Sequence, residues 1–199
     1  MGLLALFRRK PMERPGFMLY TAAVTAARDP WFFGPVVGAP DTLDGRFDLV
    51  GLHVGLLIRR LHPDPDPRGA EAAQAVFDAM FSDMDMSLRE MGVGDMSVGK
   101  RVKRMWEAFH GRSQAYAAAL DAGDRAALEA ALARNVFRAA DGGSGAAVSA
   151  GAPALAEHAE RVAKALAAQP TASLLRGEVS FPPTPDTAAA AIALSSDAA

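Results

Sequence analysis

A methionine-rich stretch, residues 77–112, most limits how this chain can fold. It holds six of the nine methionines, and its apolar residues before Gly92 recur at steps of three and four. That period places them on one face of a helix. Gly92 and Gly94 interrupt the pattern, and a second run with the same period begins near Asp95 or Ser97. The stretch predicts two helices joined by a tight turn, with Gly92 as a left-handed cap.

The helical period recurs along most of the remaining chain, and no segment alternates as a sheet strand would. The abundance of alanine also favours helix over strand. Expected helices cover about residues 17–28, 42–61, 67–91, 95–122, 124–136 and 153–168. The second is apolar nearly all round, which is typical of a helix buried on several sides. We therefore predict an all-α protein with a single domain of about six helices.

The domain limits follow from the composition of the flanking segments. We expect a flexible leader at residues 1–15, a helical domain at 16–168 and a C-terminal tail at 169–199, with both termini frayed. Glycine, alanine and serine near residues 141–151 indicate a flexible linker within the domain. The apolar run from Leu3 to Phe7 precedes its cations and is too short for a secretory signal. A frayed start and a short amphipathic membrane contact remain as alternatives for it.

Several classes of site are excluded or disfavoured. The chain has no cysteine, so it contains no disulfide and no thiolate metal site. Its formal net charge is −2, which gives no global reason to bind nucleic acid, and we expect no specific DNA binding. Gly94, Gly99 and Lys100 have the spacing of a phosphate-binding loop, but Arg101 stands where that motif needs serine or threonine. We interpret this match as coincidence.

The histidines do not form a convincing metal site at helical spacing. His53 lies in the buried second helix, where a hydrogen-bonded core histidine is expected. His158, beside Glu157, is expected on an exposed face. We predict no catalytic residue, no metal and no cofactor.

The methionine stripe and the nearby cations each have two interpretations. Methionines at helical spacing fill cores, but flexible thioethers also line surfaces that accept varied apolar partners. Met86 lies opposite the stripe on a helical wheel and favours the second interpretation. The cations near the start of the fourth helix form another candidate surface. This surface is either a solvated helix face or a contact with anionic lipid or ribosomal RNA. Its residues are Lys100, Arg101, Lys103 and Arg104.

A long run of residues resembles the ubiquinol–cytochrome c chaperone family. The run comprises Asp83 to Asp85, Leu88 to Val98, Lys100 to Met105 and Glu107 to Arg112, with Tyr20, Gly45 to Asp48 and Leu52-His53 upstream. The resemblance covers about residues 17–137. Many relatives carry proline at the place of Gly99, and its absence removes a rigid helix start without removing the turn.

The resemblance implies a chaperone, not an enzyme, that assists assembly of cytochrome b in respiratory complex III. Mitochondrial members act at the ribosome with a small partner and hold new cytochrome b until haem is inserted. Without a mitochondrial presequence, this chain resembles a bacterial member. We expect a cytoplasmic protein with peripheral contact to the inner membrane. The resemblance leaves open whether it has a partner subunit, touches the ribosome or contacts haem.

An apolar groove is the expected site for the client protein. Its candidate residues are Trp31, Phe32, Phe33, Met80, Met84, Met86, Met91, Val93, Met96 and Trp106. Two alternatives stand beside this hypothesis. One is a small enzyme or ligand-binding bundle with a pocket between helices, for which no convergent set of titratable residues is found. The other is a scaffold subunit that stays in the mature complex.

Overall fold

A computed structural model describes residues 11–137 and 150–185. Its helices are α1 (Glu13–Ala27), a 3₁₀ turn (Pro30–Phe33), α2 (Leu43–Leu61), α3 (Pro67–Glu90), α4 (Asp95–Ala122), α5 (Arg125–Asn135), α6 (Ala152–Ala167) and α7 (Thr171–Leu174). All regular structure in the described ranges is helical, which confirms the predicted all-α fold. In these ranges no helix combines the length and the apolarity that crossing a bilayer requires.

Helix α2 is the central element. It contacts α1, α3, α4 and α6, and α5 packs between α4 and α6. Leu49, Leu52 and Leu57 on α2 are fully buried, in one continuous core with residues from all the long helices. The sequence of α2, apolar nearly all round, predicted this central position correctly, because α2 packs against four other helices.

Local capping residues fix the starts of three helices where the sequence predicted them. The Thr42 hydroxyl accepts a hydrogen bond from the Gly45 amide at 3.1 Å. Asp66 and Asp124 accept from backbone amides of the first turns of α3 and α5, at 3.0 and 2.9 Å. Each bond satisfies an amide that has no partner inside its helix.

The first helix begins earlier than expected, at Glu13 and not at Phe17. Pro15 was expected to end the leader but lies in the first turn of α1, where proline removes no intrahelical bond. Gly16 is buried at the crossing with α3, and a Cβ there would lie 2.5 Å from the Ala75 Cβ. The glycine therefore serves a close helix–helix contact, which local pattern does not reveal.

The expected tail at 169–199 is wrong for its first part. Residues 169–185 pack on the domain, with Leu174 fully buried and Leu175 and Thr184 nearly so. Arg60 on α2 donates to the Gln169 carbonyl at 3.0 Å and to the Thr171 hydroxyl at 2.9 Å. The folded domain thus extends past residue 168. The frayed ends at 1–10 and 186–199, and most of the linker near 141–151, fall outside the described residues.

Candidate functional site

The α3–α4 turn is held by backbone and ionic contacts. Gly92 has φ of +80°, which favours glycine, and the Val93 amide donates to the Leu88 carbonyl at 3.0 Å. Arg89 on α3 links the two helices, because its guanidinium nitrogens lie 2.6 Å from Asp85 on α3 and 2.5 Å from Asp95 at the start of α4. These contacts fix the angle at which α4 leaves the turn.

Beside this turn, α3 and α4 enclose a groove with α1 and the start of α2. The groove has a cavity volume of about 440 Å³. We call it the four-helix groove. Its apolar lining includes Val24, Phe47, Val50, Met84, Leu88 and Met105, with the more exposed Leu43 and Met91. The four helices thus form a concave apolar surface that is continuous with the edge of the core, to which the buried Met84 belongs.

Charged residues also line the four-helix groove. They are Arg28, Arg46, Asp44, Asp83, Arg101 and Arg104. Arg46 is paired with Asp41 at 2.6 Å, and its guanidinium lies over the Phe33 ring, 5.3 Å from the centroid. The four arginines outnumber the two aspartates, so the groove is cationic although the chain as a whole is not.

A tyrosine–aspartate contact defines one side of the groove. The Tyr20 hydroxyl donates to Asp83 Oδ2 at 2.6 Å. Burial, and then the hydrogen bond to this carboxylate, raise the pKa of Tyr20 above its ordinary value. The phenol therefore stays protonated as a donor. Asp83 therefore joins α3 to α1 through this hydrogen bond.

The structure separates the predicted client-binding residues into three groups. Met84 and Met91 line the four-helix groove, as do Arg101 and Arg104 from the predicted cationic set. Met86 is exposed, as its position opposite the stripe predicted. It lines a different groove, of about 670 Å³, between α1 and α3.

The second group is buried and requires a correction. Trp31, Phe32 and Met80 are 6%, 0% and 0% exposed, and all belong to the core. They are not available to a client on this surface, because the 3₁₀ turn folds its aromatic rings inward. Phe33 is half-buried under Arg46.

The third group lies outside the groove lining. Met96 is 90% exposed, and Val93 is half-buried in the turn. Trp106 was predicted both as part of the inward stripe and as a client contact. It is 43% exposed and stacks on His110, with centroids 5.5 Å apart. Lys100 and Lys103 are exposed on α4 and do not line the groove.

Sequence reasoning missed the contribution of α1 and α2 to the site. No candidate site residue was predicted on either helix, and Arg28 was expected only as the end of the first helix. The signal was present in α2, because its apolar residues fall on two faces and Phe47 and Val50 lie on one of them. Which of two apolar faces stays partly open depends on where the other helices end, and a single segment does not encode that.

The histidine predictions were half right. His53 is fully buried and hydrogen-bonded, as expected. His158 is also buried, which corrects its expected exposure, and its Nε2 lies 3.1 Å from the His53 Nε2. No group of three potential metal ligands occurs among the described residues. A structural metal site requires about four ligands, so this pair alone does not suit one.

Comparison with known proteins agrees with this description. A model of the ubiquinol-cytochrome C chaperone family matches residues 36–181. The chain belongs to this family. The match includes the residues of the four-helix groove on α2, α3 and α4. Compared with the resemblance predicted at 17–137, the match begins later, at residue 36, and ends later, at residue 181, so it includes the packed segment after α6.

A solved structure supports the same assignment. The crystal structure of the Cbp3 homolog from Brucella abortus is 35% identical in sequence, with a TM-score of 0.74. The alignment covers 92% of this chain and 98% of that one. No curated protein matches the chain. Family membership places the chain among chaperones and not among enzymes.

Proposed function

We propose that this chaperone assists assembly of ubiquinol–cytochrome c reductase, complex III, by holding newly made cytochrome b in the four-helix groove. The observation that carries the proposal is an open apolar groove whose lining includes the flexible side chains of Met91 and Met105, with the buried Met84 beside them. Thioethers adapt to differently shaped apolar surfaces. A helix of a membrane protein, before insertion or haem binding, presents such a surface.

The expected binding is moderate. A client helix that buries on the order of 400 Å² of apolar surface gains about 10 kcal/mol, at about 25 cal/mol per Å². Association costs roughly 4–15 kcal/mol in lost freedom, so only a modest net affinity remains. A chaperone must release its client, and a modest affinity permits that release.

Site-specific photo-crosslinking tests the groove. A photoreactive residue at Met91 is expected to crosslink to cytochrome b in cells that are synthesising it. Met86 provides the matched control, because it is also an exposed methionine near the end of α3 but lines the other groove. Crosslinks from Met86 and none from Met91 would place the client in the groove between α1 and α3 and would contradict this proposal.

Deletion tests the function itself. Cells that lack the protein should lose membrane haem b absorbance and the subunits of complex III. A chaperone is absent from the finished complex, whereas a scaffold subunit remains in it. Pull-down of early and late assembly stages separates these two roles. Normal complex III after deletion would refute the assembly role.

Two further expectations stay predictions. Lys100 and Lys103 on the exposed face of α4 are candidates for contact with anionic lipid at the inner membrane or with the ribosome. The cytoplasmic location with peripheral membrane contact depends on the same surface. Arg101 and Arg104 line the groove instead, and we assign them to client binding.

A further inference from the structure

We propose that the four-helix groove selects apolar segments that carry carboxylates at one end, with Arg28, Arg101 and Arg104 as the recognising groups. This inference rests on the proposed client-binding function and specifies the chemistry of the bound segment. It depends on where unpaired cations occur in the fold.

The three arginines lack hydrogen-bonded and ion-pair partners among residues 11–137 and 150–185. Most arginines elsewhere in these ranges have acidic partners. The paired ones outside the groove are Arg59, Arg60, Arg68, Arg89, Arg112, Arg125 and Arg176. Arg14 and Arg134 have no acidic partner among the described residues either, but they lie apart from each other, whereas three such guanidinium groups line the four-helix groove, from the end of α1 and from α4.

The acidic residues of the groove do not neutralise these cations. Asp83 accepts the Tyr20 hydroxyl, and Asp44 lies in the first turn of α2, where the helix dipole favours a negative charge. The lining has four arginines against two aspartates, in a chain whose formal net charge is −2. The local excess of positive charge is therefore a property of the groove and not of the protein.

Guanidinium groups beside an apolar surface favour a planar anion. A carboxylate pairs with arginine through two parallel hydrogen bonds, and lower local polarity strengthens that pair. The apolar lining would hold hydrophobic side chains of the same segment. A segment with apolar residues followed by glutamate or aspartate satisfies both surfaces at once.

A peptide segment suits the shape better than a bilayer does. The groove is a cleft between four helices, and a flat membrane surface does not enter a cleft. The chain's own N-terminal residues do not suit this site chemically, because Arg8, Arg9 and Lys10 have the same charge as the groove arginines. The occupant that we assign to the groove is an acidic-ended apolar segment of another protein.

Peptide binding to the full-length protein tests the inference. The probes are two labelled helical peptides with the same apolar sequence, one ending in two glutamates and the other in two glutamines. Fluorescence anisotropy at low salt should give about tenfold tighter binding of the glutamate peptide. This preference should decrease as salt increases.

Two matched variants locate the preference. R101Q/R104Q should bind the two peptides nearly equally, because the glutamate peptide no longer meets the groove arginines. K100Q/K103Q removes the same charge from the same helix outside the groove, and should keep the preference. All four side chains are exposed, so thermal unfolding should be unchanged in both variants.

Three outcomes would overturn the inference. Equal binding of the two peptides to the unchanged protein is one, and equal loss of preference in both variants is another. The third is that the arginine variant loses binding to phosphatidylglycerol vesicles while the peptides show no preference, which assigns the groove to lipid. Crosslinking of cytochrome b at Met91 without any peptide preference would refute this inference alone. A peptide preference without that crosslink would refute the proposed client and leave the chemistry in place.

Discussion

Two histidines in the core, His53 and His158, form a directional chain of hydrogen bonds between α2 and α6. The His53 Nδ1 lies 2.8 Å from the Leu49 carbonyl oxygen, so that nitrogen carries the proton and donates it. The His53 Nε2 then accepts from the His158 Nε2 at 3.1 Å. The His158 Nδ1 is left to accept from Arg161 at 3.3 Å. Both rings are therefore neutral, and a further proton on either would break a bond.

Burial lowers the pKa of both rings. The pKa of His53 falls to about 4 because of desolvation. The pKa of His158 falls to about 3, first because of desolvation and then because a protonated His158 would be repelled by Arg161 and by any proton on His53, an effect that Asp29 partly opposes. Phe32 and Phe181 pack edge-on against His53, with centroids 5.5 and 5.6 Å away, and keep the pair from water.

We predict that the free energy of unfolding decreases as pH falls from about 6.5 to 5. The unfolded chain binds protons near the ordinary histidine pKa of about 6.5, whereas the folded chain does not until lower pH. The pair's contribution is complete above pH 6.5 and is lost below it, approaching about 1.4 kcal/mol per pH unit for each ring. Urea denaturation at several pH values measures this slope.

The control separates the pair from other groups. The double variant H53L/H158L should flatten the slope between pH 6.5 and 5, whereas H110Q, at an exposed histidine, should leave it as it is. Carboxylates such as Asp64, whose pKa its hydrogen bonds from Thr171 and Arg60 lower to about 2, affect stability only at lower pH. An unchanged slope in the double variant would contradict the prediction.

Helices α2 and α4 are joined by a buried ion pair between Asp48 and Arg112. Asp48 is 4% exposed, and the Arg112 side chain is 14% exposed. Nearby, a Cβ at Gly55 would lie 2.9 Å from the Ser113 hydroxyl, so the two helices cross closely. The pair therefore fixes the register of α4, and with it the position of the groove residues on its first turns.

Replacing Arg112 by methionine should destabilise the fold by about 3–5 kcal/mol. The reason is that the Asp48 carboxylate loses its cationic partner while it stays buried. The double variant D48L/R112M should be less destabilised than R112M alone, because it no longer buries a charge. Chemical denaturation of R112M and of D48L/R112M measures both values. A double variant that is destabilised as much as R112M, or more, would contradict the predicted coupling.

Local signals explain which elements were predicted well. Thr42, Asp66, Asp124 and Gly92 act through bonds to residues within a few positions, so their effect is visible in a short window. The start of α1 was missed for two reasons. Proline is tolerated in the first turn of a helix, as at Pro15, and the glycine at position 16 is required by its contact with Ala75, which is far along the chain. Side-chain exposure on α4 was partly missed for the same reason, since Trp106 and Phe109 share a periodic stripe but differ in what covers them.

The segment after α6, residues 169–185, covers part of the core and completes the domain. Arg60 on α2 donates to the Gln169 carbonyl and to the Thr171 hydroxyl of this segment. The same guanidinium also donates to the Leu166 carbonyl of α6 and to Asp64. The Thr171 hydroxyl also donates to Asp64 at 2.6 Å. Further along, Phe181 packs against His53. The domain is therefore completed by residues that the composition alone had assigned to a tail.

Ending the chain after Ala168 should cost about 3–6 kcal/mol, relative to a chain that ends after Pro185. Leu174 and Leu175 are buried, and each contributes about 1.5–3 kcal/mol. That loss is a large part of the stability of an ordinary domain. Calorimetry of the two chains measures it. Leu174→Ala alone should cost about 3 kcal/mol, and equal stabilities would show that the segment is dispensable.

The sequence by itself determined the helical class, the central place of α2, the α3–α4 turn and, through a long run of matching residues, the family. These depend on period, local capping and residue identity, which are properties of neighbouring positions. The groove, the buried histidine pair and the closing segment depend on contacts between residues 60 to more than 100 positions apart. Whether a methionine such as Met80 or Met91 is core or surface is set by which helix covers it, and only the packing of α1 to α6 assigns Met80 to the interior and Met91 to the open groove.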